Sequence, residues 1–295
     1  MVWASGWRLA SAVSNAGGLG IIGSGSMYPD VLRTHIQKCR AATSKTFGVN
    51  IPLLYPDIHK HIAIIIEEKV PVVFTSAGNP ATWTAVLKKE GIRVVHVISS
   101  SKFAKKAEAV GCDAIVAEGF EAGGHNGREE TTTMVLIPAV ASAVQVPVIA
   151  AGGISNGRQM MAAMVMGAEG VQMGTRFVAS KEASAHADFK NMVIASNEGD
   201  TMLSLKKLVP VRLLKNNFSA AVFEAEHRGA TAAELQQLLG SGRAKKGMFE
   251  GSLADGELEI GQVSALINEI KSAAEIIEET WQEFEEACIN PFKKS

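Results

Sequence analysis

The chain has 295 residues, 47% of them hydrophobic, and sets 29 Lys and Arg against 30 Asp and Glu for a formal charge of -1. That is enough apolar material for one large core or two ordinary ones, and the balanced charge, with no basic block, argues against nucleic acid or an anionic membrane as partner. Cys39, Cys112 and Cys288 are odd in number and show neither CxxC nor His/Cys ligand spacing, which argues against a disulfide framework or a metal site. Runs such as VPVVFTSA are too short to cross a bilayer, and MVWASGWRLA lacks the charged start and long apolar stretch of a signal peptide, so a cytoplasmic setting is expected.

In chain order, short runs rich in Val and Ile alternate with longer segments of helical pattern. Seven strands are predicted: GLGII (18–22), FGVNI (47–51), PVVFT (71–75), RVVHVI (93–98), AIVAE (114–118), PVIAA (147–151) and GVQMG (170–174). Uniformly apolar strands are covered on both faces, and successive β-α units form parallel sheets. The pattern predicts an α/β fold, a (β/α)8 TIM barrel lacking its first strand, because the sequence opens directly on the helix pattern SGWRLASAVSNAG (5–17). The expectation is a start at a downstream methionine or a truncation; in a closed ring, the segment WASG or another chain would have to fill the gap. Beyond residue 176 the rhythm changes. Residues 1–180 read as barrel, 181–260 as a helical cap whose LKKLVPVRLLKNNFSAAVFEAEHRG is taken as short helices, and 261–295 as a C-terminal helix returning to cover the barrel.

Two loops carry an anion-site signal. AAGGISNGRQ (150–159) and QMGTRF (172–177) follow the last two strands, where barrels commonly bind phosphate; Gly152, Gly153 and Gly174 let backbone N–H groups approach an anion, and Thr175 adds a hydroxyl. The glycines of AGGLGIIGSGSM (16–27) lack the spacing and acidic partner of a dinucleotide fingerprint and read as a helix end and strand bend. Asn50 and Glu118 end their strands at the barrel mouth, and the planar amide of Asn50 suits a heterocycle. In EGFEAGGHNG (118–127), small residues precede His125 and expose its imidazole where catalytic groups of barrels gather. Of the other histidines, His35, His59, His61 and His227 read as surface residues, His96 as core, and His186 as a residue bordering the cap.

The chain resembles the FMN-dependent group that contains the second type of bacterial enoyl-[acyl-carrier-protein] reductase and nitronate monooxygenase, formerly 2-nitropropane dioxygenase. The resemblance rests on AGGLGIIGSGSM, FGVNIPLL, SAGNP, AEGFEAGGHNG, PVIAAGGIS, GAEGVQMGTRF and GELEIGQVSALI, in that order over nearly the whole chain. It implies FMN as cofactor, with the phosphate on Gly152, Gly153, Gly174 and Thr175 and with Gln172 and Met173 lining the same edge. It further implies that Asn50 and Glu118 meet the cofactor, that Gly123 and Gly124 lie close to it, that Met1 and Val2 contribute from the end of the first strand, and that His125 is the catalytic or substrate-orienting histidine. The activity it implies is reduction of trans-2-enoyl thioesters, free or carried by acyl-carrier protein, in fatty acid synthesis with NADH or NADPH as electron donor. The alternatives are oxidation of alkyl nitronates with FMN and oxygen, and a truncated barrel without turnover. A homodimer is admitted, and Lys206, Lys207, Arg212 and Lys215 are the candidate docking patch for the carrier protein.

Overall fold

All seven predicted strands form, and they pair in chain order. The structure, a computed structural model, describes residues 1–292. Its strands are β1 (Gly20–Gly23), β2 (Phe47–Pro52), β3 (Val72–Ser76), β4 (Arg93–Ile98), β5 (Ala114–Glu118), β6 (Gly124–His125), β7 (Val148–Ala151), β8 (Gly170–Gln172), β9 (Thr201–Ser204) and β10 (Val211–Leu214). A seven-stranded parallel sheet runs β1-β2-β3-β4-β5-β7-β8, with helices between successive strands, and is a TIM-barrel-like α/β fold.

Strand alternation sorts side chains onto two faces, because successive residues point to opposite sides. Ile22, Val49, Ile51, Val73, Val94 and Ile115 join helix residues such as Leu32, Ile65 and Leu87 in the large outer core. Their neighbours Ile21, Val72, Phe74, Val95, Val116 and Ala151 form a second cluster on the inner face. Asn50, Glu118 and Gln172 share the inner parity, close to the C-terminal ends of their strands. Sequence alternation alone therefore delivers polar groups to the mouth of the curled sheet.

Among the described residues β1 and β8 do not pair with each other. The first five residues lie across the mouth at this seam. Ser5 accepts from the Gly23 N–H (2.9 Å) and donates to Ile21 O (2.5 Å), while its own N–H reaches Met1 O (3.1 Å). On the opposite side the Met1 side chain approaches the place where a Cβ of Gly174 would sit, at 3.5 Å. Outside the seam, the helix Ala273–Ile289 packs on the helices Gly157–Val165 and Trp7–Asn15. It lies so close that a Cβ at Gly157 would fall 2.1 Å from Thr280 O. This helix starts at its capping residue Ser272; the segment 261–271 before it, read as helical from its spacing, contains instead a 3-10 turn at Gln262–Leu266 and a parallel bridge from Lys271 to Ser180.

The region after the barrel corrects a second helical reading. TMLS and VRLL are strands, β9 and β10, and they form an antiparallel sheet with β6 in the order β6-β10-β9. All four residues of β10 are buried, and a fully buried run carries no period to separate strand from helix. The helices Asn217–His227 and Ala232–Leu239 do form, each opened by a reciprocal capping box, at Asn216 with Ser219 and at Thr231 with Glu234. They bury Phe218, Val222 and Leu235 against Val211 and Leu213 of β10.

Candidate active site

The mouth is built from three loops and one strap. Gly152 and Gly153, after β7, both have positive φ (84° and 72°), a pair of left-handed residues that turns successive N–H groups to one side. A side chain at Gly152 would fall 2.6 Å from Gly119 O, so glycine is required there on packing grounds too. The helix that follows is capped by Asn156, whose Oδ1 accepts from Gln159 N at 2.8 Å, and Glu283 of the C-terminal helix accepts from Gly157 N at 2.8 Å. Facing this loop, the Glu121 carboxylate is committed to the start of another helix. It accepts from Thr133 N (2.9 Å) and Thr133 Oγ1 (3.0 Å), the favourable end of the helix dipole for an anion.

On the inner face, Asn50 donates through Nδ2 to Phe74 O (3.1 Å) and Ser76 Oγ (3.2 Å), which fixes its amide and leaves Oδ1 uncommitted. Glu118 pairs in register with Ala151, and Ala151 with Gln172, so the two polar residues lie in one row across β5, β7 and β8. Neither side chain forms a hydrogen bond with the described residues. Burial pushes the Glu118 carboxyl up to about 7, so near neutral pH it exists in both its donor and acceptor forms. Half-buried polar groups without partners, in one row at a barrel mouth on either side of Ala151, are the arrangement expected where a polar ligand completes the bonding.

Thr175 begins a short helix, Thr175–Val178, and its hydroxyl accepts from Gly261 N at 3.0 Å. Gly174 is open: a Cβ there would meet nothing nearer than Met1 Cγ at 3.5 Å. Met173 is the exception in this group. Its side chain packs against the outer, helix-facing core, leaving only its backbone at the mouth. Val2 packs with the cluster around Phe189 and Leu258.

His125 is exposed, and its imidazole makes no hydrogen bond to a described residue. Its placement is secured through the backbone. His125 pairs with Val211 and Gly124 with Arg212 in the antiparallel β6-β10 ladder, Asn126 N donates to Pro210 O (2.8 Å), and the Asn126 amide folds back on Ala122 O (2.9 Å) and Gly124 O (3.0 Å). Arg128 then donates to Lys206 O (3.2 Å) and Leu208 O (2.6 Å). Gly123 is explained by close approach to backbone, since a Cβ there would lie 2.4 Å from Ile260 C, and Gly124 by its left-handed φ of 76°. The strap Glu257–Gln262 thus threads between the His125 loop and Thr175, bonded to the former by Gln262 N to Glu121 O at 2.9 Å. GELEIGQ is its sequence signal; spacing alone gave it no position.

Beside the His125 loop lies a cavity of about 280 Å³, lined by Ser99, Phe103, Asn126 to Glu129, Val209 and Pro210. Two histidine readings change. His61 is fully buried, stacked on Tyr55, with Nε2 3.1 Å from Met27 O; it lies on the same helix face as Ile62 and Ile65. His35 is half-buried, with Nδ1 accepting from Trp7 N at 3.1 Å, and burial lowers its affinity for a proton. His96 is core as expected, bonded to Thr75 Oγ1 at 2.7 Å and held down to about 4 by burial. Arg212, counted above in a surface docking patch, is buried instead. No described helix is long and apolar enough to cross a membrane.

A family model described as nitronate monooxygenase matches residues 1–61 and 54–283. A relative from Rhodococcus jostii, named (3aS,4S,5R,7aS)-5-hydroxy-7a-methyl-1-oxo-octahydro-1H-indene-4-carboxyl-CoA dehydrogenase, is 32% identical over 94% of this chain and 89% of its own length. A probable nitronate monooxygenase of Staphylococcus aureus is 34% identical over 67% of this chain and 68% of its own. Among solved structures, FabK from Thermotoga maritima has a TM-score of 0.94 at 44% identity, covering 99% of this chain and 92% of that one. Nitroalkane oxidase from Streptomyces ansochromogenes has a TM-score of 0.84 at 27% identity, covering 98% and 94%.

Proposed function

The chain belongs to the nitronate monooxygenase family, whose members are flavin-dependent oxidoreductases, and from that premise we propose that it is an FMN-dependent enoyl-[acyl-carrier-protein] reductase, reducing trans-2-enoyl thioesters at the expense of NADH or NADPH. The observation that carries this reading is the likeness to FabK, at 44% identity over 99% of the chain, against 27% for the nitroalkane oxidase. The name of the Rhodococcus relative, which includes a carboxyl-CoA, adds support for a thioester substrate. The family model and the staphylococcal relatives favour a second reading, oxidation of alkyl nitronates with oxygen.

The residues present fit FMN. The left-handed pair Gly152–Gly153 offers N–H groups to a phosphate, Gly174 is open to close approach, and Thr175 keeps its hydroxyl proton free to donate after accepting from Gly261. Gln172 and the Met173 backbone line the same edge, with Met1 across from them and Val2 behind it. Asn50 Oδ1, Glu118 and Gln172 are uncommitted groups for a polar heterocycle and its chain, and Gly124 and Gly123 bring the His125 loop beside them. Bound FMN would supply hydride transfer between a nicotinamide and the substrate. The chain's own part is to orient the thioester under the cap and to hold a proton where Cα needs one: His125, exposed at the rim, donates it or hydrogen-bonds the thioester oxygen as negative charge develops there. We assign residues 1–180 to the barrel, 181–260 to the cap that closes over it and 261–295 to the segment that returns across the barrel. Lys206, Lys207 and Lys215 remain as surface groups for a carrier protein, and the protein works without nucleic acid or membrane, in the cytoplasm.

His125→Ala tests the assignment. Turnover of a crotonyl thioester should fall by about 100-fold or more while FMN stays bound; loss of FMN with retained turnover per flavin would move the catalytic role elsewhere.

A further inference from the structure

Arg212 is buried, at 2% exposure, and makes no ion pair with a described carboxylate. Its guanidinium is spent on the loop that carries His125. Nε and Nη2 both donate to Phe120 O (3.1 and 3.0 Å), Nη1 donates to Thr201 Oγ1 (3.2 Å), and the charged group lies over the Phe120 ring at 4.7 Å. The same residue's backbone pairs with Gly124, one residue before His125. Burial disfavours the charged guanidinium, and Glu121 and Glu130 offset this only through space, without an ion pair. What the charge secures is geometric. Phe120 follows Glu118 by two residues, so one cap residue grips the loop near its departure from β5 and again at its arrival at His125.

We infer that Arg212 is a positioning residue, which fixes the His125 loop against the cap so that the imidazole is held over the mouth. The inference rests on the assignment of His125 to the chemistry proposed above. Two contacts at opposite ends of a short loop constrain it as a hinge pin and a latch constrain a gate, and misplacement of a reacting group by about 1 Å lowers rate by up to about 100-fold. Planarity matters as well as charge: both arms of the fork converge on one carbonyl while the plane stacks on a ring, which an ammonium cannot reproduce.

The test uses the full chain loaded with FMN, with crotonyl thioester and NADH or NADPH under anaerobic conditions. Arg212→Gln should lower kcat by about 10- to 100-fold with FMN retained, Arg212→Lys should recover only part of the loss, and Thr201→Val, which removes a single bond at the far side of the guanidinium, should show a smaller loss of the same kind. Amide hydrogen exchange should quicken in residues 119–127 and stay unchanged in the strands. A merely structural role is separated by the double variant. If Arg212 acts through His125, Arg212→Gln added to His125→Gln should lower kcat no further, and the pH dependence of kcat/KM should flatten alike in each. Losses that multiply in the double variant would overturn the inference, as would full activity of Arg212→Gln. Where Arg212→Gln does not fold, Arg212→Lys and Thr201→Val combined with His125→Gln decide by the same criterion. If His125→Gln alone leaves turnover intact, the catalytic assignment fails and the inference with it; if it abolishes turnover and Arg212 variants are silent, only the positioning role fails.

Discussion

Gly123→Ala isolates the strap from the cofactor. The new methyl carbon would lie 2.4 Å from Ile260 C, 2.5 Å from Gly261 N and 2.6 Å from Ile260 Cα, all backbone atoms that cannot rotate away. Reaching ordinary contact requires a shift of about 1 Å, which strains the bonds that hold the strap, Gly261 N to Thr175 Oγ1 and Gln262 N to Glu121 O. Overpacking costs about 1–3 kcal/mol, and two weakened hydrogen bonds add about 1 kcal/mol each, so the apoprotein should lose about 3–5 kcal/mol. Thermal unfolding should register this as a fall in Tm of about 5 °C or more. Gly174→Ala is the matched control: its methyl carbon meets only the Met1 side chain at 3.5 Å, at an ordinary backbone φ of -106°. Its apoprotein Tm should stay within about 1 °C, while FMN affinity falls because the cofactor's close approach is blocked. An apo Gly123→Ala protein as stable as its parent, with weakened FMN binding, would refute the strap reading and return Gly123 to the cofactor.

Three further outcomes follow from particular contacts. Burial beside Glu259 pushes the Glu257 carboxyl up to about 7 from its ordinary 4.5. The native state then keeps this proton to higher pH than the unfolded chain does. Its stabilising contribution is complete below about pH 4.5 and is lost as pH rises through about 7. Glu257→Gln should therefore match its parent near pH 4 and exceed it by about 3 kcal/mol above pH 8 in urea unfolding; a gain at acid pH would reverse the reasoning. Gly153→Val places a β-branched residue at φ 72°, so FMN content after purification should fall sharply, and retained FMN would relocate the phosphate. Glu283→Gln weakens the cap that the C-terminal helix places on Gly157 N, and Tm should fall by the equivalent of about 1 kcal/mol; an unchanged Tm would show that the interhelical packing holds without it.

The barrel was readable because each of its strands is local and apolar, bounded by Gly, Ser, Thr or Asn, and because parallel β-α order leaves few topologies. The mouth residues Asn50 and Glu118 followed from their position at strand ends, and Gln172 only from the family resemblance. What escaped was made by distant pairing. A two-residue strand at Gly124–His125 exists only because β10 lies beside it, and VRLL, with a buried arginine among apolar neighbours, gives no periodic signal of its own. Charged residues read as surface by default, which misplaced Arg212, and the HKH of the helix Ile58–Glu67 hid His61 for the same reason. Met173 illustrates the opposite limit: membership of a motif does not say which way a side chain points, and strand alternation turns this one outward.

The central claim is tested most directly by purified, FMN-loaded protein kept free of oxygen and given NADH or NADPH with a crotonyl thioester. Rapid nicotinamide oxidation that requires the thioester and yields its saturated product is the predicted result. Failure of the thioester to turn over, together with oxygen-dependent consumption of an alkyl nitronate without nicotinamide, would contradict it and establish the monooxygenase reading in its place.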